Sequence, residues 1–364
     1  MLSRIARHGP IRFDEVMEAA LYDPEAGFYA TAGQAGRRGD FLTSAELGPL
    51  FGAVLARALD TWWEAAGSPH PFVVVEAGAG SGTLARSVLH AQPRCRDALR
   101  YVLVERSARL RAAHADGLPL ALPTHAFAAT AGSDGEDEPA PAPAPAGPIA
   151  VSLDALPPPG TAHVVLANEL LDNLPVRLLE LAAEGWTEVW VGADGGRLVE
   201  ILLPAGDVVL ALSAEAGARV AWQRHAVQWV SDALEVAERV IAIDYATTTD
   251  AMARRPWREW LRTYQGHAVG SDPLADLGTQ DITCEVALDQ LAVVREPDRV
   301  ESQADFLRSH GLDGLVADGR AAWEAGAATG GLEAIRGRSR IGEAEALIDA
   351  SGLGGFSVIQ WSGR

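Results

Sequence analysis

Apolar residues recur along this chain with two periods, which separate predicted helices from predicted strands. Near the start, the apolar positions of 13–21 are spaced as on one helix face, and a second helical pattern covers 49–63. From residue 72 onward, short apolar runs alternate with helix-like segments. The predicted strands are 72–76, 101–105, 163–167, 239–245 and 356–361, and predicted helices follow Gly82 and Ser107. This alternation predicts an α/β fold around a parallel sheet.

Three further segments are expected to be additions to that sheet. Apolar runs over 176–203 are broken by glycine-containing turn signals, so antiparallel hairpins should extend or cap the sheet. Residues 131–148 are acidic and then rich in alanine and proline, which predicts a disordered loop because no apolar face is available to bury. Residues 251–281 are polar, rich in tryptophan and irregular, and are expected to cover a site.

The expected organisation is an N-terminal helical extension or lid over 1–70 and a core over 71–364. Within the core, 131–148 is the predicted disordered loop, 176–235 carries hairpin and helix additions, and 246–285 is the covering insertion.

Composition and charge exclude several classes of protein. The 364 residues carry a formal net charge of −19, which argues against general binding to nucleic acid or to anionic lipid surfaces. The two cysteines and nine histidines form no C-x-x-C or H-E-x-x-H motif, so no metal site is expected. Neither a signal core nor an apolar run long enough to span a membrane is found in the sequence. A soluble, cytoplasmic protein is expected.

The strongest chemical signal is the glycine-rich segment that follows the strand at 72–76. Its glycines, Gly78, Gly80 and Gly82, are spaced G-x-G-x-G, which predicts a tight turn and a close approach of a ligand to the backbone. A dinucleotide fingerprint would place glycine or alanine at Thr83, and no G-K-[ST] follows, so nicotinamide binding is weakened and a P-loop is disfavoured.

The remaining nucleotide-like cofactor is S-adenosyl-L-methionine, for which an acid, a G-x-G-x-G turn and a second strand ending in an acid are characteristic. Glu76 and Glu105 fit that order. Glu105 lies about 20 residues after the glycines, where its carboxylate can accept hydrogen bonds from both ribose hydroxyls. A glycine turn that only packs a helix on a strand is the alternative.

Five sequence blocks resemble one family, the MidA-type methyltransferases, which include a mitochondrial complex I assembly factor that methylates an arginine. The blocks are 21–29, 39–46 with 51–52, the glycine turn, 167–176, and 264–267 with 272–274 and 281–283. The resemblance implies a class I (Rossmann-like) S-adenosyl-L-methionine-dependent methyltransferase sheet with an N-terminal helical extension and inserted hairpin and helical segments. The chain departs from the usual family residues at Ala45, Ser81 and Asn173.

Residues of the second block are expected to fold over the cofactor as a lid. They are Asp40, Phe41, Thr43, Ser44 and Glu46. The alternative is that their polar side chains cap the helix over 49–63. Asp154 follows a short apolar run and is expected to contact the adenine, with a turn-forming role as the alternative.

The 167–176 block supplies the expected substrate contacts. Asn168 and Glu169 are expected at the carboxyl end of a strand, next to the cofactor, and Glu169 with Asp172 could hold a planar guanidinium bidentately. The alternative is a helix start, with Asn168 as N-cap and acids in the first turn. His267 in the covering segment is the candidate proton acceptor, with a structural role as the alternative.

The leading hypothesis is an enzyme that transfers a methyl group from S-adenosyl-L-methionine, releasing S-adenosyl-L-homocysteine, with a protein arginine as the acceptor that the family implies. A second hypothesis is an O- or N-methyltransferase acting on a small molecule or modified peptide. A third is a cofactor-binding assembly factor with weak or lost catalysis. A homodimer is compatible with all three.

Overall fold

The structure is a computed structural model that describes residues 1–31, 43–127, 147–206, 208, 210, 212–265, 268–270, 272–327 and 330–363. The helices are α1 (Leu2–His8), α2 (Phe13–Tyr22), α3 (Phe28–Thr31), α4 (Ser44–Leu47), α5 (Pro49–Ala65), α6 (Thr83–His90), α7 (Ala108–Ala112), α8 (His114–Gly117), α9 (Arg224–Val236), α10 (Thr249–Ala253), α11 (Leu288–Leu291), α12 (Gln303–Ser309), α13 (Leu312–Gly326) and α14 (Leu332–Ile348).

The strands are β1 (Ile11–Arg12), β2 (Phe72–Ala77), β3 (Leu99–Val104), β4 (Ile149–Leu153), β5 (Ala162–Asn168), β6 (Arg177–Ala182), β7 (Gly185–Asp194), β8 (Arg197–Pro204), β9 (Arg219–Trp222), β10 (Ala237–Asp244), β11 (Ala246–Thr247), β12 (Leu261–Gln265), β13 (Ala268–Gly270), β14 (Asp281–Cys284), β15 (Val286–Ala287), β16 (Arg299–Ser302) and β17 (Ser357–Ser362).

The main sheet has seven strands among the described residues, in the order β16-β17-β10-β5-β2-β3-β4. The five strands from β10 to β4 are parallel to one another; β17 pairs antiparallel with β10, and the edge strand β16 pairs antiparallel with β17. Every residue of β2 and β3 is buried, as expected for parallel strands that helices cover on both faces. The chain moves from β2 to one side through β3 and β4, and then returns to β5 and β10 on the other side. This reversal places a topological switch point between β2 and β5, where ligands bind in open α/β sheets.

The hairpins form a second sheet rather than an extension of the first. β1, β7, β6 and β9 lie side by side, with β8 paired to β7. Helix α2 packs its apolar face on this sheet, and Phe13, Val16 and Met17 are completely buried there. Helix α5, by contrast, packs on the main sheet. The helices before residue 70 therefore belong to two different cores, and the division into 1–70 and 71–364 stays a prediction.

The sequence predicts an irregular segment over 251–281, and this prediction is wrong in part. β12 pairs with both β13 and β14 in a three-stranded antiparallel sheet. Trp260 anchors that segment: its side chain is buried, and its indole N–H donates a hydrogen bond to the Met252 carbonyl.

The predicted strands at 72–76, 101–105, 163–167, 239–245 and 356–361 are confirmed within one or two residues at each end. Strand β4 was not predicted, because its short apolar run directly follows the alanine- and proline-rich segment. Most of the loop predicted over 131–148 lies outside the described residues. No helix among the described residues is long and apolar enough to cross a membrane.

Candidate functional site

A cavity of about 300 Å³ opens at the carboxyl ends of β2, β3 and β5, at the switch point of the main sheet. The sequence-predicted site residues that line it are Thr43, Glu46, Glu76, Gly78, Gly80, Glu105, Asp154, Asn168 and Glu169. Ser44, Gly82 and Asp172 lie near it without lining it. Asp40, Phe41 and His267 lie outside the described residues.

The glycine turn has the backbone that its sequence predicts. Gly78, Gly80 and Gly82 have φ values of 69°, 55° and 80°, which residues with a Cβ rarely adopt. A Cβ on Gly78 would lie 2.9 Å from Leu170 Cδ1. At Gly80, no heavy atom of the described residues lies within 4 Å of the position of a Cβ. The turn therefore presents backbone without a side chain to the cavity at Gly80. This leaves the space that a bound cofactor requires.

Glu105 is tied to the glycine turn through its carboxylate. Its Oε2 accepts a hydrogen bond from the Gly80 N–H at 2.9 Å, and its Oε1 accepts one from the Ser107 N–H at 2.7 Å. Burial raises the pKa of this carboxyl, while the two N–H donors lower it. Each oxygen of a carboxylate can accept more than one hydrogen bond, so both remain able to accept from a ligand.

Glu76 at the end of β2 is a buried acid whose only side-chain partner among the described residues is a tyrosine. The Tyr101 hydroxyl donates to Glu76 Oε2 at 2.8 Å. Burial raises the pKa of Glu76 to about 8, because little water is available to solvate the charged form. The group is therefore mainly protonated at neutral pH.

Glu169 is held in a conformation that is uncommon for a residue with a side chain. It has a φ of 53°, and its Oε1 accepts hydrogen bonds from the Ser44 N–H and from Asn168 Nδ2, both at 3.1 Å. Burial raises the pKa of Glu169 to about 8, and the Ser44 N–H opposes that rise. Asn168 Oδ1 is also buried, and has no hydrogen-bond partner among the described residues. The end of β5 therefore places the Glu169 carboxyl at the cavity, next to a buried acceptor, Asn168 Oδ1, that has no partner among the described residues.

The alternative that Asn168 caps a helix is wrong. Strand β5 runs through Asn168, and only the 3-10 turn Leu171–Asn173 follows it. Glu169, with its positive φ, lies between the end of β5 and the 3-10 turn, where the chain changes direction.

Asp172 does not line the cavity, although its carboxyl is close enough to Glu169 for the two charges to interact. Its side chain is only 4% exposed, and its main-chain N–H donates to Asp244 Oδ2 at 3.2 Å. Burial raises the pKa of Asp172 well above its ordinary value, and the carboxyls of Asp244, Asp281 and Glu169 raise it further. Asp244 also accepts from the N–H groups of Leu171 and Tyr245, so it fixes the turn instead of facing the crevice. Glu169 therefore lines the cavity whereas Asp172 does not, and the bidentate grip by the two residues stays a prediction.

The segment before α5 forms part of the cavity wall and does not cap that helix. Ser44 is completely buried, and its hydroxyl donates to Gln303 Oε1 at 2.9 Å. At the start of α5, the Leu50 N–H donates instead to Glu343 Oε2 at 2.9 Å, from helix α14. The capping alternative is therefore wrong for Thr43, Ser44 and Glu46.

Three polar residues without a predicted role, Tyr22, Tyr29 and Asn173, meet at the cavity wall. The Tyr22 hydroxyl donates to the main-chain carbonyl of Asn173 at 3.1 Å, and the Tyr29 hydroxyl donates to Asn173 Oδ1 at 3.0 Å. The two tyrosine rings stack with centroids 5.6 Å apart. Both tyrosines belong to the 21–29 block, so the block itself was the available signal.

Two relatives whose names state an activity are similar in sequence to most of this chain. The protein named "Protein arginine methyltransferase NDUFAF7, mitochondrial" from Mus musculus is 28% identical over 340 residues, which cover 86% of this chain and 73% of that protein. The NDUFAF7 homolog of Drosophila melanogaster is 28% identical over 312 residues, 78% of this chain and 66% of that protein. The match thus spans about two thirds of the Drosophila protein.

The crystal structure of a COG1565 superfamily member from Burkholderia thailandensis, bound to S-adenosyl-homocysteine, has the same fold. Its TM-score is 0.79 at 28% sequence identity, and the match covers 99% of this chain and 90% of that chain. The class I (Rossmann-like) fold predicted from the sequence is confirmed.

A family model described as "Putative S-adenosyl-L-methionine-dependent methyltransferase" matches residues 54–303. That range includes the glycine turn, Glu105 and the Asn168–Glu169 strand end. The predicted enzyme class and cofactor are confirmed by this match. The chain belongs to this family of S-adenosyl-L-methionine-dependent methyltransferases.

Proposed function

We propose that this enzyme methylates an arginine side chain of a protein, and that Glu169 holds the acceptor guanidinium. The observation that carries the proposal is the set of acceptor groups at the end of β5. Asn168 Oδ1 is buried without a partner among the described residues, and the Glu169 carboxyl lines the cavity next to it. A guanidinium has five N–H donors and no acceptor, so it complements such a surface.

The opposite side of the cavity suits the cofactor. Bound S-adenosyl-L-methionine supplies an electrophilic methyl group on its sulfonium. In the proposal, Glu105 accepts hydrogen bonds from the ribose hydroxyls, Asp154 contacts the adenine, and the bare backbone at Gly80 leaves room for the amino-acid part. These residues orient the methyl group toward the end of β5, where positioning contributes most of the catalysis.

In the proposal, Glu169 is also the base that removes a proton from the acceptor. Transfer of a methyl group to a guanidinium nitrogen requires that an N–H proton leave that nitrogen. The pKa of Glu169 is raised to about 8 by burial, which makes its ionised form a stronger base than an ordinary glutamate. A bound guanidinium favours ionisation of Glu169 because the two charges are opposite. The carboxylate then accepts the proton as the new bond forms.

The names of the curated relatives support the arginine acceptor, since both are called protein arginine methyltransferases. Those relatives are also named as mitochondrial proteins; for this chain, a cytoplasmic location stays a prediction. The sequence-based assignment of His267 as proton acceptor also stays a prediction, since that residue lies outside the described residues.

Substitution of Glu169 by glutamine tests the assignment. We expect E169Q to lose at least 100-fold in methyl transfer from radiolabelled S-adenosyl-L-methionine to protein in a cell lysate, because glutamine neither pairs with a guanidinium nor accepts its proton. The affinity for S-adenosyl-L-homocysteine, measured by calorimetry, should change less than threefold. The control is Glu259→Gln, the same chemical change at an exposed position. Full activity in E169Q would end the proposal.

A further inference from the structure

Buried side chains hold the backbone of Gly80 through the peptide before it and the peptide after it. On one side its N–H donates to Glu105 Oε2 at 2.9 Å. On the other side its carbonyl oxygen lies 2.9 Å from Nε2 of His114, a residue of α8 that is completely buried and does not line the cavity. The backbone that faces the cavity at Gly80 is therefore held by two side chains of the protein itself.

The hydrogen bonds of His114 fix the position of its proton. A carbonyl oxygen can only accept, so Nε2 must carry the hydrogen that reaches Gly80. Nδ1 of the same ring lies 2.8 Å from Ser152 Oγ on β4. In the neutral ring Nδ1 must accept, so the Ser152 hydroxyl donates to it. Burial lowers the pKa of His114, which favours this neutral form.

The surroundings of His114 are packed against the same turn. A Cβ on Gly82 would lie 3.3 Å from His114 Cδ2, so the imidazole ring packs next to the third glycine of the turn. Arg86 holds the next peptide, because its Nη1 donates to the Ser81 carbonyl at 2.6 Å. Arg86 in turn passes over Gly117 of α8, where a Cβ would lie 2.4 Å from Arg86 Cδ.

We propose that His114 is a positioning residue for the cofactor. Its Nε2–H holds the Gly80 carbonyl in the peptide that follows Gly80, while Glu105 holds the Gly80 N–H in the peptide before it, so the two contacts together fix the backbone conformation of Gly80. Ser152 sets the ring orientation that makes this possible. His114 thus acts through Gly80 and Glu105 on the cofactor, and touches neither the cofactor nor the acceptor. The inference rests on the cofactor site and is independent of which acceptor is methylated.

Two substitutions of similar size separate the hydrogen bond from packing. His114→Gln places an N–H close to the position of Nε2, whereas His114→Met fills similar space without a donor. We expect the dissociation constant for S-adenosyl-L-homocysteine, measured by calorimetry, to stay within about threefold of the unsubstituted protein in H114Q. In H114M it should rise about tenfold or more, the loss of about one hydrogen bond to the backbone.

His163 supplies the matched control, since it is a histidine with a similar backbone contact at the opposite end of the sheet. Its Nδ1 accepts a hydrogen bond from the Val73 N–H at 3.0 Å, at the start of β2. His163→Ala should lower the melting temperature and leave the affinity for S-adenosyl-L-homocysteine within about twofold.

Unchanged affinity in folded H114M would overturn the proposal, and so would an H114Q variant that binds as weakly as H114M. If H114M does not fold, Ser152→Ala decides, because it keeps the imidazole and removes the hydroxyl that orients it. Binding about threefold weaker in S152A supports the proposal, and unchanged affinity overturns it. None of these measurements uses a methyl acceptor, so failure here leaves the arginine proposal standing.

Discussion

The main-chain N–H of Ser44 donates a hydrogen bond to Glu169 Oε1 at 3.1 Å, which joins the segment before α5 to the end of β5. This donor stabilises the ionised carboxylate and so opposes the effect of burial on the pKa of Glu169. The wall of the cavity that comes from the N-terminal part of the chain is thereby coupled to the proposed base.

Substitution of Ser44 by proline removes that N–H with little change to the backbone. Ser44 is the first residue of α4, where proline is tolerated, and Thr43 has φ −101° and ψ 163°, which suits a residue before proline. We expect S44P to lower the methyl transfer rate about tenfold, because the carboxylate of Glu169 loses a stabilising donor. Ser44→Ala loses only the hydroxyl contact to Gln303 and keeps the N–H. Equal rates in S44P and S44A would contradict the coupling.

The buried acids predict how stability depends on pH. Burial raises the pKa of Glu76 and Glu169 from 4.5 to about 8 in the folded protein. Between these values the folded state binds more protons than the unfolded state, so stability is highest at or below about pH 4.5 with respect to these groups and is lost as pH rises through 8. We expect the free energy of unfolding, from urea titrations, to fall between pH 5 and pH 8.

Glu76→Gln removes one of these titrations and keeps an acceptor for the Tyr101 hydroxyl. The decline in stability between pH 5 and pH 8 should become shallower, by up to ~1.4 kcal/mol per pH unit. Glu324→Gln, on the surface of α13, is the matched control and should leave the decline as it is. A decline as steep in E76Q as in the unsubstituted protein would show that Glu76 does not contribute.

Glu343 stabilises the start of α5 from a distant part of the chain. Its Oε2 accepts from the Leu50 N–H at 2.9 Å, and its Oε1 accepts from the Ser339 hydroxyl at 2.9 Å. We expect Glu343→Ala to destabilise the protein by about 1–3 kcal/mol, since a buried backbone donor loses its partner. Glu345→Ala, at an exposed position on the same helix, should cost less than about 0.5 kcal/mol. Equal unfolding free energies for the two variants would refute this capping role.

Alanine substitutions at Gly80 and Gly67 distinguish the cost of backbone strain from the loss of space for the cofactor. Both have positive φ, 55° and 81°, and in neither case does a heavy atom of the described residues lie within 4 Å of the position that a Cβ would take. Alanine at either site should cost about 1 kcal/mol of stability. Only Gly80→Ala should weaken S-adenosyl-L-homocysteine binding, by about tenfold or more, because the added methyl group would occupy space that the cofactor requires. Calorimetry on both variants decides, and equal affinities would contradict the placement of the cofactor at Gly80.

The parts of the site that depend on neighbouring residues were predictable from the sequence. The glycine turn follows from the G-x-G-x-G spacing after a buried apolar run, and Glu105 follows from the end of the next strand. Both features are local, because strand ends and positive φ values are set by a few residues.

The parts that depend on distant residues were not predictable. Asp172 is three residues from Glu169 in the sequence, but it belongs to a 3-10 turn whose main-chain N–H groups donate to Asp244, and it does not line the cavity. The cap of α5 comes from Glu343, which lies 293 residues beyond Leu50. Contacts of this kind follow from the packing of whole helices, which no spacing along the chain encodes.

The most direct test of the central claim is to identify the methylated product. The enzyme is incubated with radiolabelled S-adenosyl-L-methionine and a fractionated cell lysate, and labelled protein is hydrolysed and separated into its amino acids. We expect label in a protein band, recovered as methylarginine, and we expect it to be lost when the Glu169→Gln variant replaces the enzyme. Label confined to small molecules, or recovered as a different amino acid, would contradict the claim.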